Sequence, residues 1–343
     1  MKPKKDKKPR SRSPPPHVFY VLSSEQFPAQ SLVVQGAEAE RAGFDGVWMS
    51  DHFQPWQPNE GHSAAAWPTI AALTQRTTRV MMGTGVTCPT FRYRPAVVAQ
   101  VWASLSALAP GRIFLGMGSG ERLNEGAAGG GWAPYNERAD RLVEAVEIIR
   151  ALWTGKNVKI EGRYWNVEGK LYDPPPRPVP LYIAAGGPKS ARLAGRYGDG
   201  LITGTDSLTN PDFMKAWREG VREAGRDAHA LPIVVEHFAV VGDEGEARKA
   251  AEMWRFIPKA WEPGFHDNVS PASIQRRAER KVKIGDVTEH WAVSADPHAH
   301  VGAIRKLGEL GATHVVVHVP MPDHSLAIDF FGKKVLPELR GGT

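Results

Sequence analysis

The chain has 343 residues, 42% of them hydrophobic and 23% charged, with a formal net charge of +6. That composition suits a soluble globular protein, either one barrel-sized unit of about 250 residues or two smaller domains. No run approaches the roughly 18 apolar residues of a membrane span, which excludes an integral membrane helix protein. A single cysteine, Cys88, excludes an internal disulfide framework and a cysteine-rich zinc site, and it fits a reducing, cytoplasmic location.

The positive charge is local. Residues 1–16 hold seven basic residues against Asp6, so this segment carries the whole excess and the remainder is neutral. With five prolines and no large apolar residue beyond Met1, this tail is expected to be disordered. Arg10 and Arg12 are not adjacent and the apolar run Val18–Leu22 is short, so neither export signal is expected. A nucleic-acid partner is not expected either, because the body of the chain has no basic excess.

From residue 17 onward short β-branched runs alternate with helical patterns. Strands are expected over 18–22, 45–49, 79–86, 112–118, 180–185, 199–204, 232–241 and 313–319. Between them, Leu142, Ala145, Val146, Ile149, Leu152 and Trp153 fall on one helical stripe. Near the end, Asp296 suits an N-cap, Pro297 the first turn and Gly311 the residue after the helix. Residues 155–178 read as a hairpin or loop insertion and 258–289 as a helical one, each too small for a separate domain. Eight strands alternating with helices point to a (β/α)8 TIM barrel or a doubly wound sheet over residues 17–343. In a barrel, the residues just after each strand are the candidates for function.

After the second strand, Asp51 and His52 could supply a base with its orienting partner, and Trp56 a flat wall for a ring. The plainer alternative makes Asp51 a cap and His52 a loop residue. After the third strand, Gly83, Gly85 and Val86 permit close backbone approach to a ligand, or simply form a turn. Cys88 has no base beside it and reads first as a small packed residue. After the fourth strand, Gly116-Met-Gly118-Ser119-Gly120-Glu121 is a poor dinucleotide fingerprint, since Glu121 occupies the third glycine position. After the fifth, Gly186-Gly187-Pro188-Lys189 opens a helix whose amides could seat a phosphate. No metal is expected. His298 and His300 open a helix instead of ending a strand, and His314 and His318 read as buried or rim histidines.

Taken together, Asp51-His-Phe-Gln-Pro-Trp56, Pro89-Thr-Phe-Arg-Tyr93, Arg112-Ile-Phe-Leu-Gly116 with Gly120-Glu121 and Asn124-Glu125, Ala184-Ala-Gly-Gly-Pro188 and Ala194-Gly-Arg-Tyr-Gly-Asp-Gly200 resemble the luciferase-like superfamily. More narrowly, the chain resembles the branch of F420-dependent glucose-6-phosphate dehydrogenase and F420-dependent hydroxymycolic acid dehydrogenase, across residues 18–340. The resemblance implies a bacterial-luciferase-like (β/α)8 barrel, a homodimer, and the deazaflavin coenzyme F420 as hydride acceptor from an alcohol. It implies His52 as the acid/base, Trp56 as a transition-state support and Glu121 as the group handling the proton at the ring's N1. It places Asp51, Cys88, Ser119, Gly120, Asn124, Gly186 and Gly187 at cofactor-contacting positions, and a non-proline cis bond at Gly85–Val86. Lys189 joins the cofactor-binding set as the phosphate-seat candidate.

Departures from the branch bear on the substrate. Its sugar-phosphate enzymes grip phosphate with two lysines and an arginine. Here the first region reads Gly204-Thr205-Asp206-Ser207, the second falls near Phe265-His266, and His290 stands before Trp291 in place of the arginine. A carboxylate where a cation is needed repels a phosphate dianion, so a non-phosphorylated alcohol or ketone is expected. An FMN-dependent monooxygenase of the same superfamily and a non-catalytic F420-binding protein are the competing readings. Bound-cofactor spectra separate the first, and turnover of any alcohol the second.

Overall fold

The computed structural model describes residues 14–341, so residues 1–13 of the expected tail lie outside the described residues. Its strands are β1 (His17–Leu22), β2 (Gly46–Met49), β3 (Met81–Thr84), β4 (Leu115–Met117), β5 (Val158–Glu161), β6 (Asn166–Gly169), β7 (Leu181–Ala184), β8 (Gly200–Gly204), β9 (Ile233–Val241), β10 (Ala292–Ser294) and β11 (His314–His318). Eight of them pair in parallel in the order β3-β2-β1-β11-β9-β8-β7-β4. Parallel bridges at Met82–Ile113 and Thr87–Met117 join β3 to β4 and close the ring. This is the expected (β/α)8 barrel, and its strands read as near-continuous apolar runs because helices cover them outside while side chains fill them inside.

The bore holds Phe19, Val21, Trp48, Phe114, Tyr182, Ile202, Val234 and Val316, with Met81, Val86 and Ala184 packed against them. A much larger apolar layer lies between the strands and the surrounding helices. In that layer the helix Tyr135–Trp153 buries Leu142, Ala145, Val146, Ile149 and Leu152. Trp153, on the same stripe, is half-buried and donates its indole N–H to the Ala99 carbonyl at 2.9 Å. The helix Pro297–Glu309 starts where expected, Asp296 accepting from the His298 N–H at 3.0 Å, and Gly311 has φ 108°.

Two stretches differ from the expected strand map. Strands over 79–86 and 112–118 shorten to β3 and β4, since the chain leaves the ladder after Thr84; the Gly85–Val86 peptide is cis. The short β10 pairs with the far end of β9 and has too few residues to show a period. Residues 155–178 contain the antiparallel pair β5–β6, and 258–289 contain the helices Pro271–Lys281 and Ile284–Thr288.

The barrel wall is tight at Gly116, where an added Cβ would lie 2.0 Å from the Thr84 carbonyl oxygen and 3.0 Å from Ile202 Cδ1. Gly116→Ala is therefore expected to cost about 1–3 kcal/mol or more, read as a lower urea midpoint. An unchanged midpoint would mean that β3 and β4 can separate freely.

Candidate active site

Side chains two apart on a strand share a face, so the bore residues point to what stands above them at the C-terminal mouth. Continuing upward gives Ser23 and Ser50 after β1 and β2, Gly85 after β3, Gly118 after β4, Gly186 after β7 and Gly204 ending β8. On β9 and β11 the same faces carry Glu236, Phe238 and His318. One half of the mouth is thus walled by glycine and the other by polar and aromatic groups. A Cβ built on Gly186, Gly187 or Gly204 would meet nothing within 4 Å, and one on Gly118 would press Val86 Cγ2 at 2.7 Å.

The expected pairing of His52 with Asp51 does not occur. Neighbouring residues at a strand end point to opposite sides, and the partner of His52 is Glu25, from the segment after β1. His52 Nδ1 lies 3.3 Å from Glu25 Oε1, an ion-pair distance without hydrogen-bond alignment, and the two side chains are 13% and 4% exposed. Glu25 Oε2 accepts from the hydroxyls of Ser50 at 2.5 Å, Ser23 at 3.2 Å and Ser24 at 3.4 Å. Burial pushes the Glu25 carboxyl up, but His52, the Ser50 hydroxyl and its own backbone N–H outweigh that and hold it below the usual range. Glu25 is thus held as an anion beside His52.

Asp51 is buried and fully engaged by protein donors. Its Oδ2 accepts from Thr87 Oγ1 at 2.6 Å and Trp67 Nε1 at 3.1 Å, and its Oδ1 from the Tyr93 hydroxyl at 3.0 Å. Arg92 Nη2 lies 3.3 Å from Asp51 Oδ1 and donates to the Asp51 carbonyl at 2.6 Å. The backbone N–H of Arg92 also reaches Glu125 Oε2 at 2.8 Å. So a buried arginine ties the loops after β2, β3 and β4 together. Cys88 is buried beside them, and its thiol is pushed well up by burial, then by Glu121 and Glu125, which argues against a thiolate nucleophile.

Glu121 is half-buried at the start of the short helix Arg122–Glu125. Asn124, fully buried, donates to Glu121 Oε2 at 3.4 Å and accepts from the Phe53 N–H at 2.8 Å. That single amide fixes the His52 loop relative to the Glu121 loop. Ser119 and Gly120 are held by Arg138, whose Nη1 reaches the Ser119 hydroxyl and carbonyl at 3.3 Å and the Gly120 carbonyl at 3.1 Å. Gly186, Gly187 and the exposed Lys189 lead into the helix Pro188–Tyr197.

Trp56 is 5.9 Å from the His52 ring and stacks on Phe256 at 4.6 Å and 15°. His52, Trp56 and Glu25 converge on one side of the mouth, and the glycines, Ser119 and Gly120 on the other. Glu25, Arg138 and Glu236 carry no role in the sequence reading; Glu25 follows β1 and Glu236 lies inside β9, while Arg138 sits in the first turn of the helix Tyr135–Trp153, where nothing local marks it. His314 and His318 separate to the two ends of β11, His314 against His17 and Phe19 and His318 against Phe238.

Residues 15–314 match the family described as luciferase-like monooxygenase. The chain belongs to that family. It is 48% identical over 324 residues to the F420-dependent hydroxymycolic acid dehydrogenase of Mycobacterium tuberculosis, covering 94% of this chain and 88% of that protein. It is 42% identical to an F420-dependent glucose-6-phosphate dehydrogenase of Intrasporangium calvum, covering 94% and 99%. Among solved structures, an F420-dependent secondary alcohol dehydrogenase in complex with an F420–acetone adduct superposes with TM-score 0.88 at 34% identity, covering 95% of this chain and 99% of that one. An F420-dependent tetrahydromethanopterin reductase from Methanopyrus kandleri, 21% identical with TM-score 0.76 over 95% and 100%, shares the fold.

Glu125 offers a test of the buried charge network. Burial, opposed by Arg92 and aided by Glu121 and Asp51, raises its carboxyl to about 7. A raised carboxyl favours the folded state at low pH and loses that contribution as pH climbs through its folded value. Glu125→Gln keeps the neutral form, so it should gain Tm relative to the wild type between about pH 5 and 8. Parallel Tm curves for the two proteins would contradict this account of Glu125.

Proposed function

We propose that this protein is an F420-dependent dehydrogenase that moves a hydride between a non-phosphorylated alcohol carbon and the deazaflavin. The observation that carries the proposal is the split mouth, with an open glycine wall facing a His52–Glu25 pair. A flat ring needs a shallow slot free of side chains, and the faces at Gly118, Gly186 and Gly204 leave one. Val86, Cys88, Ser119, Gly120, Gly186, Gly187 and Lys189 stand around that slot and would hold the ring and its tail, with Gly85, Asp51 and Asn124 shaping it from behind.

Bound there, the deazaflavin supplies a carbon that accepts the hydride. As the C–H bond of a carbinol gives up its hydride, the O–H proton must leave, so a base has to face the hydroxyl. His52 suits that task. Its Nδ1 points at Glu25, and its Nε2 has no protein partner among the described residues, which leaves it to take the proton. The anionic Glu25 then stabilises the imidazolium. Trp56, braced by Phe256, offers a flat wall beside the reacting carbon. Glu121, on the loop after β4, would be the residue placed to exchange a proton with the ring. Two titratable groups in different environments divide the acid and base work.

Asp206 is exposed at the first of the regions where a sugar phosphate would need a cation, and Ser207 follows it. His290 is exposed where an arginine would be needed. Both support an uncharged substrate. No helix of the described residues is long and apolar enough to cross a membrane. A homodimeric, cytoplasmic enzyme completes the proposal on the strength of the resemblance.

Titration with oxidised F420 and, separately, FMN tests the cofactor. Binding of F420 alone supports the dehydrogenase, and preference for FMN moves the protein to the monooxygenases. With a secondary alcohol that is turned over, His52→Ala should cut turnover by about 10²–10⁴-fold while F420 still binds. Glu121→Gln should slow ring reduction, and normal rates in either variant would remove that residue from the mechanism.

A further inference from the structure

A second acid–imidazole pair stands at the same mouth and has no part in hydride transfer. His318 Nδ1 lies 2.9 Å from Glu236 Oε1, with the histidine side chain 5% and the glutamate 35% exposed. The strand period places both in the bore, two residues above Val234 and Val316 of the interior cluster. His318 is locked by its neighbours, stacking on Phe238 at 4.3 Å and meeting the edge of Trp254 at 4.6 Å. Its Nε2 is buried without a hydrogen-bond partner, so among the described residues the ring's one polar contact is with Glu236. Among the described residues no protein donor reaches Glu236 Oε2. The carboxylate, about one-third exposed, is held by one oxygen and leaves the other free to accept.

The two pairs are joined by one aromatic wall. From His52 it runs through Trp56 (5.9 Å), Phe256 (4.6 Å) and Trp254 (6.0 Å) to His318 (4.6 Å), and Phe238 then stacks on Trp291 at 5.5 Å. A ligand lying along this wall with its carbinol at His52 would meet apolar surface and, beyond it, a fixed anionic acceptor.

We propose that Glu236, positioned by His318, is a specificity-determining residue that accepts a hydrogen bond from a second hydroxyl of the substrate. The preferred substrate is then a diol or a larger polyhydroxylated compound with an apolar frame, and phosphate or carboxylate near the carbinol is rejected by charge. A carboxylate accepts and cannot donate, so it distinguishes a hydroxyl from an anion. A site built to bond a hydroxyl discriminates strongly against the analogue that lacks it. This proposal rests on the mouth being the alcohol site.

Calorimetric titration of the F420-loaded protein with cyclohexanol and with 1,2-, 1,3- and 1,4-cyclohexanediol tests it without requiring turnover. At least one diol is expected to bind about 10-fold more tightly than cyclohexanol, the effect of one charge-assisted hydrogen bond. Glu236→Ala should abolish that ratio and leave cyclohexanol binding nearly unchanged. Glu236→Gln, which keeps an acceptor beside His318, should lower the ratio several-fold. His318→Phe should lower it too, and His318→Asn, which retains a donor near Nδ1, should restore part of it. No diol preference in the wild type, or a preference that survives in Glu236→Ala, overturns the proposal. Diol preference with no alcohol able to reduce F420 would instead remove the dehydrogenase reading and leave the anchor standing.

Discussion

The two-residue period of a barrel strand decides what can meet at the mouth of this protein. Once Phe19, Val21, Trp48, Phe114, Tyr182, Val234 and Val316 fill the bore, the residues higher on the same faces have no choice but to face the opening. After β3, β4 and β7 and at the end of β8 those positions hold glycine; on β9 and β11, and after β1 and β2, they hold serine, acid, imidazole and aromatic groups. The packed lower bore gives the site its floor, and the asymmetry above it gives the site its two faces. A planar group and a hydroxyl-bearing group can therefore be held against each other without either displacing the core.

The second requirement is that buried charge be paired, and the mouth does this in separate clusters. Glu25 is satisfied by three serine hydroxyls and His52, and stays ionised. Asp51 and Glu125 share Arg92, and their loops are fixed as a result. Such networks contribute little net stability, because desolvation offsets much of the attraction, but removing Arg92 would leave Asp51 a buried charge without its cation, at a penalty of about 3–5 kcal/mol. Their worth here lies in position. Asn124 and Arg92 connect the loops that carry His52, Cys88 and Glu121, so the acid/base groups cannot drift independently.

Much of this was legible in the sequence. The eight strands of the ring announce themselves because parallel strands covered on both sides need unbroken apolar runs, and Asp296, Pro297 and Gly311 mark one helix from cap to stop. His52, Trp56 and Glu121 stand out as candidates because strand ends are where a barrel keeps its chemistry. Asp51 does not orient His52, because adjacency in sequence is not adjacency in space; its side chain turns toward Arg92 and Tyr93. Glu25 was missed because it follows a two-serine stretch that looks like an ordinary turn, and nothing local links it to a histidine 27 positions away. Glu236 hides inside a β-branched run where one acid reads as a rim residue. Only the register of β9 against β11 brings it to His318.

Filling the glycine wall tests the division of the mouth most directly. A Cβ on Gly186 would meet nothing within 4 Å, so Gly186→Leu adds bulk at the slot without a clash at its base. F420 affinity, followed by ring fluorescence, is expected to fall by about 10-fold or more with Tm unchanged, while Glu25→Gln binds F420 as the wild type does. Undiminished binding in Gly186→Leu would contradict the assignment of the ring to that half, and with it the opposition of cofactor and base proposed for hydride transfer.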